Sequence, residues 1–248
     1  MSFAGASASA NRFLNSILAL RPEIAVFDCD GTLWSGDAGR DFFYWEMERG
    51  LVSSEMAATM RVRYKLYEAG ELGEEPMCGE MVTMHDGLSI ADLHHAAEEF
   101  VVEVVGPRIF PEMLELTHRL HEQGCELWAV SSTNNWVVEA GALRFGIARD
   151  HVLAACLHQE DGRATGRLHR VPTGPLKADA IREVIARPVD AVFGNSVHDQ
   201  AMLEIARYAF CINPNPDLEK VAVAQRWPMY WPTGTAKHPA TEAVHSRE

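Results

Sequence analysis

Positive charge is scarce in this sequence: 22 lysines and arginines stand against 35 aspartates and glutamates, for a formal net charge of −13. Such a surface repels phosphate backbones and anionic headgroups, so neither nucleic acid nor an anionic membrane is expected as a main partner. A small phosphorylated molecule stays open, because a local cation reverses the field inside a pocket. Long apolar runs are missing as well, and no stretch approaches the roughly 20 residues of a membrane span. The first twenty residues carry no basic opening, and Phe13, Ile17, Leu20 and Leu14, Leu18 fall at helical spacing. That pattern predicts an amphipathic helix rather than a signal peptide. The five cysteines (Cys29, Cys78, Cys125, Cys156, Cys211) are odd in number and include no Cys-x-x-Cys pair. Reduced thiols in a cytoplasm suit them better than a disulfide frame or a zinc site. Repeats and low-complexity runs are absent too.

What is present is a globular composition, 47% hydrophobic and 23% charged over 248 residues. It suffices for one large domain or a domain with an insertion. Residues 38–105 carry helical periodicity and almost no strand signal. Gly50, Gly70, Gly73 with Pro76, and Gly87 divide them into four expected helices. From residue 106 onward strand and helix alternate. Helices are expected near 111–123, 134–144, 175–186 and 198–206, and strands at 125–131, 189–194 and 209–212. A hairpin is expected around Asp161-Gly162. The alternation predicts an α/β fold, a doubly wound and mostly parallel sheet. Residues 1–37 and 106–248 would form the core and 38–105 a helical cap, with the tail beyond Gly234 fraying.

Ligands of such sheets gather at the carboxyl ends of the strands. The first strand, Ile24-Ala25-Val26-Phe27, delivers Asp28 and Asp30 there, with Cys29 pointing the other way by strand alternation. Two carboxylates so placed need a cation or a phosphoryl group to offset their desolvation; an Asx-type turn is the plainer alternative. A second strand delivers Ser131, Ser132 and Thr133, and a third delivers Gly194-Asn195-Ser196-Val197-His198-Asp199. Lys177 falls in the first turn of a helix between them. Taken alone, Ser131 reads as a helix N-cap and Lys177 as a solvated lysine. Their convergence on one crevice favours a site. His198 is expected at the surface and outside it. The pairs His94-His95 and His118/His121 lack a metal-ligand pattern and are expected to face solvent.

With those residues in view, the chain resembles the haloacid dehalogenase superfamily of phosphatases, and more closely its phosphoserine phosphatase-like branch. The ordered set is Asp28-x-Asp30-Gly-Thr-Leu, Ser131 after an apolar strand, Lys177, and Gly194-Asn195-x-x-x-Asp199. Gly124-Cys125-Glu126-Leu127 and Asp161-Gly162-x-x-Thr165-Gly166 follow the branch's habits, and the likeness spans about residues 24–216. The resemblance implies a Mg²⁺-dependent phosphomonoesterase acting on a small phosphorylated metabolite. In it Asp28 would be the nucleophile that forms an aspartyl-phosphate, and Asp30 the acid and base. Ser131 and Ser132 would grip the phosphoryl oxygens with backbone N–H groups of the next helix, and Lys177 would offset the charge shared by Asp28 and phosphate. Asp28, Asp30, Asn195 and Asp199 would hold the metal. The family's fourth motif usually opens Gly-Asp; Asn195 removes one negative charge. A catalytically degenerate, phosphometabolite-binding scaffold therefore stays open beside the enzyme, as does a phosphomutase.

The resemblance also places an ammonium-reading acid nine positions past the nucleophile, which is Asp37 here. Arg61, Arg63 and Lys65 diverge at helical spacing, so at most one or two can face a pocket; Arg61 is the expected anion contact. Trp34, Phe42, Phe43 and Trp45 surround Asp37 in sequence. They suit either a cage for a choline- or ethanolamine-like head group or, more simply, a hydrophobic staple.

Overall fold

The structure, a computed structural model, describes residues 7–235. The expected fraying beyond Gly234 falls outside those residues, Thr235 apart. The helices are α1 (Ala8–Leu20), α2 (Ala38–Glu48), α3 (Ser54–Glu68), α4 (Glu74–Thr83), α5 (Ile90–Phe100), α6 (Pro111–Glu122), α7 (Asn135–Ala142), α8 (Pro175–Val184), α9 (Gln200–Glu204) and α10 (Pro216–Gln225). The strands are β1 (Ile24–Phe27), β2 (Glu126–Asn134), β3 (Val152–Glu160), β4 (Arg163–Arg170), β5 (Ala191–Gly194), β6 (Tyr208–Ile212) and β7 (Met229–Tyr230). They form one sheet in the order β4-β3-β2-β1-β5-β6-β7, parallel throughout except for the antiparallel β3–β4 hairpin.

Strand β1 shows why the sheet is double-wound. Its four residues are all buried, a continuous apolar run of the kind that a parallel strand covered on both faces requires. Ala25 and Phe27 enter one hydrophobic cluster, with α1, α6 and α7, while Ile24 and Val26 enter another, with α8, α9 and α10. Phe27 stacks on Phe193 of β5 at 4.3 Å, so Phe27→Ala would cost about 3–5 kcal/mol. No helix among the described residues is long and apolar enough to cross a membrane.

The segment 38–105 folds into the four expected helices, and they divide by packing. Phe42 and Trp45 of α2, with Leu93, Ala96, Ala97 and Phe100 of α5, join the same cluster as Phe27. Phe43, Met47, Met60, Tyr64, Met77 and Met84 form a separate apolar cluster across α2, α3 and α4. The α4–α5 connection is pinned to the hairpin by backbone bonds Gly87 N to Ala164 O (2.8 Å) and Ile90 N to Gly162 O (2.9 Å).

Two boundaries depart from expectation. β2 runs three residues further, to Asn134, because its pairing with β3 slips: Ser131 lies opposite Ala154 but Asn134 opposite Ala155. Ser132 and Thr133 occupy that bulge, the irregularity that re-aims side chains beside a site. The α9 region is shorter than expected because Val197–Asp199 winds as a 3₁₀ turn, closed by the Asp199 carboxylate.

Candidate active site

β1 sits where the strand order reverses, flanked by β2 and β5, and the crevice at that switch point is where open α/β sheets bind ligands. A cavity of about 250 Å³ opens there, lined among others by Asp28, Asp30, Asp37, Ser131, Ser132, Lys177 and Asn195. Seven of the nine expected site residues thus meet, while Asp199 and Arg61 are not in the lining.

The turn after β1 is built to aim carboxylates. Gly31 has φ +77°, and a Cβ there would fall 1.9 Å from the Asn195 side chain, so only glycine fits between the first and last loops of the crevice. Asp28, 5% exposed, accepts from Lys177 Nζ at 2.7 Å on Oδ1 and from Thr32 Oγ1 at 3.0 Å on Oδ2. Asp30 accepts from Trp34 Nε1 (2.6 Å) and the Ala38 amide (2.7 Å) on Oδ1, and from Thr133 Oγ1 (2.9 Å) on Oδ2. Trp34 and Thr133 are the orienting residues that sequence reasoning missed. Thr133 was visible in the Ser131-Ser132-Thr133 run, but nothing in the sequence says that Trp34 turns its indole back onto Asp30.

Charge explains the electrostatics. Two carboxylates, Asp28 and Asp199, share one ammonium, Lys177, and Asp30 stands close by among neutral donors. Burial, then Asp199, push the Asp28 carboxyl up to about 7 against the pull of Lys177. Burial and then Asp37 push Asp30 up to about 6, against the donors from Ala38, Trp34 and Thr133. Burial works against the charged form of Lys177, but Asp199 and Asp28 outweigh it and hold the ammonium firmly protonated. A buried surplus of negative charge with oxygen donors is what a hard dication offsets. Among the described residues no three His, Cys, Asp or Glu side chains form a metal-holding cluster. A dication would therefore rest on Asp28 and the Asn195 amide, completed by backbone carbonyl, substrate and water oxygens.

Three expectations need correction, and one alternative reading, Ser131 as a helix cap, falls away. Asp199 is fully buried and both its oxygens are taken: Oδ1 by Lys177 Nζ (2.6 Å), Oδ2 by the amides of Asn195 and Ser196 (2.9 Å each). It anchors the lysine and the loop rather than facing the cavity. Arg61 is exposed on α3, because the helix turns Met60 and Tyr64 inward and leaves the next residue outside. Arg63, from the same trio, pairs with Glu80 at 2.5 Å. Ser131 is not a helix cap; its Oγ accepts from the Thr133 amide at 3.1 Å, and Asn134 caps α7 instead. His198 lines the cavity, its Nδ1 lying 2.6 Å from Oε2 of Glu74 in the first turn of α4. Burial disfavours the Glu74 carboxylate, but the His198 bond outweighs it and holds the group below its ordinary range. Glu74 left no signal in the sequence.

Asp37 caps α2, accepting from the Arg40 amide at 2.8 Å. Trp34, Phe42, Phe43 and Trp45 are all buried in apolar clusters, so they staple the helix and form no cage. The rings that do line the cavity are Tyr64 and Tyr67. Arg40 also lines it, but its guanidinium is committed to Asp41 at 3.0 Å. Of the other histidines, His95, His118 and His121 are exposed, and His94 is half-buried, 3.8 Å from Glu139.

A parallel sheet with carboxylates, hydroxyls and a buried lysine gathered at its switch point defines an α/β protein with a hydrolase-like site. The chain belongs to the haloacid dehalogenase-like hydrolases, whose family model matches residues 25–204. It is 28% identical over 154 residues to a probable phosphatase of Mycobacterium tuberculosis, a match covering 60% of this chain and 53% of that one. The chain thus aligns with about half the length of that relative. It is 25% identical to a histidinol-phosphatase of Neisseria meningitidis, over 83% of this chain and 97% of the other. It is 27% identical to a phosphoserine phosphatase of M. tuberculosis, over 82% and 68%. Among solved structures, a protein of unknown function from Bordetella pertussis superposes with a TM-score of 0.72 at 24% identity, covering 84% of this chain and 97% of that one.

Proposed function

We propose that this chain is a phosphomonoesterase that works through an aspartyl-phosphate. The observation that carries the reading is the meeting of Asp28, Asp30, Ser131 and Lys177 on one cavity at the switch point. Lys177 and Thr32 each donate to one Asp28 oxygen, at 2.7 and 3.0 Å, and orient the carboxylate, one oxygen of which would attack phosphorus with a remaining lone pair while the ester P–O bond breaks. Asp30, pushed up to about 6, can carry a proton near neutrality and pass it to the departing alkoxide. The Thr133 hydroxyl is a rotor, so it can donate to Asp30 before that transfer is reset and accept from it while Asp30 is protonated. Asp30 then takes a proton from water, which attacks the phosphorus and releases phosphate with Asp28 restored. Ser131, Ser132 and neighbouring amides would hold the phosphoryl oxygens. Mg²⁺, held by Asp28, the Asp30 carbonyl and Asn195, would supply charge neutralisation for the phosphoryl group.

The α2–α5 segment would act as a cap that covers the cavity and selects the alcohol. Its charged and aromatic contribution to the wall is Glu74, Tyr64 and Tyr67, beside Asp37 at the cap of α2, with Arg40 as its cation. Arg40 is offset by Asp41, so a leaving group with an ammonium near Asp37 is favoured. Serine phosphate and histidinol phosphate, the esters named by two relatives, share an amino group on the carbon next to the phosphoester carbon. Five free thiols among the described residues suit a reducing compartment such as the cytoplasm.

Hydrolysis of p-nitrophenyl phosphate and of a panel of aminoalkyl phosphates, with and without Mg²⁺, tests the reading. Release of inorganic phosphate that needs Mg²⁺ supports it and separates it from a mutase. No turnover of any ester by the wild-type protein would leave the second reading, a phosphometabolite-binding scaffold suggested by Asn195.

A further inference from the structure

We propose that Glu74 is a second carboxylate subsite for the leaving group, one that takes a basic nitrogen and that His198 fills while the cavity is empty. The inference rests on the phosphomonoesterase reading and narrows its substrate: an aminoalkyl phosphate carrying a second basic nitrogen, such as an imidazole or an amine. Glu74 projects from the first turn of α4 into the cavity that also holds Asp37. Its Oε2 receives the His198 imidazole at 2.6 Å and its Oε1 a long contact from Ser132 Oγ at 3.4 Å, with Thr173 as a further side-chain partner of the carboxylate. The protein itself therefore demonstrates that a planar N–H donor fits against this carboxylate.

Exposure makes the two partners unequal. The Glu74 side chain is 20% exposed and that of His198 is 51% exposed. His198 stands on a short 3₁₀ turn, so it can swing to water at little desolvation cost. Glu74 cannot follow it and needs a replacement cation. Met77 and Met81 line the same wall, and their flexible thioethers adapt to the flat ring or chain that such a group brings. A carboxylate in that position would face Glu74 and be rejected by like-charge juxtaposition.

The competing explanation is a tether that merely ties α4 to the loop after β5. The two separate by sign. If Glu74 is the subsite, E74Q removes the acceptor charge and H198N removes the competitor. The ratio of kcat/KM for histidinol phosphate to that for phosphoethanolamine should fall at least about tenfold in E74Q and rise in H198N. A tether is broken by either change, so both ratios would move together; that result, or a wild-type preference for phosphoserine over histidinol phosphate, overturns the proposal. Phosphate-free histidinol titrated into the wild-type protein should also shift the His198 ring resonances. No turnover of any ester by the wild-type protein would sink the phosphatase reading, whereas an unmoved His198 ring would sink the subsite even in an active enzyme.

Discussion

The molecule holds two buried acid–base clusters, one at the sheet and one among the helices, and only one of them has the form of a reaction centre. On the sheet side, Asp28, Lys177 and Asp199 are bonded at 2.6 and 2.7 Å. On the helical side, Glu46 of α2 meets His85, just past α4, at 2.7 Å, with side chains 1% and 0% exposed. Burial is nearly as complete in the sheet cluster, and the bonds are equally short. The helical pair is balanced one to one, its second ring nitrogen bonds the Val82 carbonyl at 2.9 Å, and its ring meets Trp136 edge-on at 4.9 Å. The sheet cluster has more carboxylates than cations and opens on a cavity. Surplus charge at an opening marks chemistry; balanced charge in a sealed place marks structure.

The largest effects should separate the clusters in opposite directions. Asp28→Asn should lower turnover at least about a thousandfold if Asp28 is the proposed nucleophile, since the amide cannot attack phosphorus as the carboxylate does. It should not lower thermal stability in the absence of metal. The Asp28 carboxyl is pushed up to about 7 in the folded chain from an ordinary 3.8, so its ionised form opposes folding at neutral pH and the amide removes that strain. His85→Leu should do the reverse. It strands a buried Glu46 charge and should cost about 3–5 kcal/mol in denaturant unfolding, with kcat of the folded fraction within a few-fold of wild type. The double change Glu46→Leu/His85→Leu should recover most of that loss. A strongly destabilised Asp28→Asn, or a catalytically dead but stable His85→Leu, would erase the distinction.

The sheet cluster was legible in the sequence and the helical pair was not, for one reason. Asp28 and Asn195 follow strands, Ser131 lies in the last stretch of β2 and Lys177 opens a helix, and strand ends in a doubly wound sheet converge by topology. Glu46 and His85 are 39 positions apart on a helical segment, where contact depends on packing angles that periodicity does not encode. The same limit hid Glu74 and put Arg61 on the wrong side of α3. Asp199 failed differently: its position in the motif was right, but its oxygens were claimed by Lys177 and two backbone amides, which only three-dimensional hydrogen bonding reveals.

A smaller effect probes the surplus itself. Asn195→Asp keeps the shape that packs against Gly31 and adds a carboxylate to the cavity lining. With Mg²⁺ present, affinity should tighten about tenfold, read as the metal dependence of the melting temperature or by calorimetry. Without metal the added charge deepens the repulsion around Asp28, so the apo protein should melt earlier. Unchanged Mg²⁺ affinity would remove Asn195 from the ligand set.

The smallest effect belongs to the sealed pair and is a slope with pH. Burial alone would lower the His85 imidazole, but Glu46 and the Val82 carbonyl outweigh it and hold it above its ordinary 6.5. Burial likewise raises the Glu46 carboxyl, against the pull of His85. Whichever of the two atoms carries it, the folded pair retains a proton that the unfolded chain gives up near pH 6.5. The folded state then binds more protons, and stability must fall as pH rises. The contribution is fully present below 6.5 and is lost as pH climbs through the raised imidazole value. Denaturant midpoints of the wild-type protein measured from pH 6 to 9 should therefore decline more steeply than those of the Glu46→Leu/His85→Leu double variant. Parallel declines would mean that the pair titrates in the folded protein as it does in the unfolded chain, and that its sealing is incomplete.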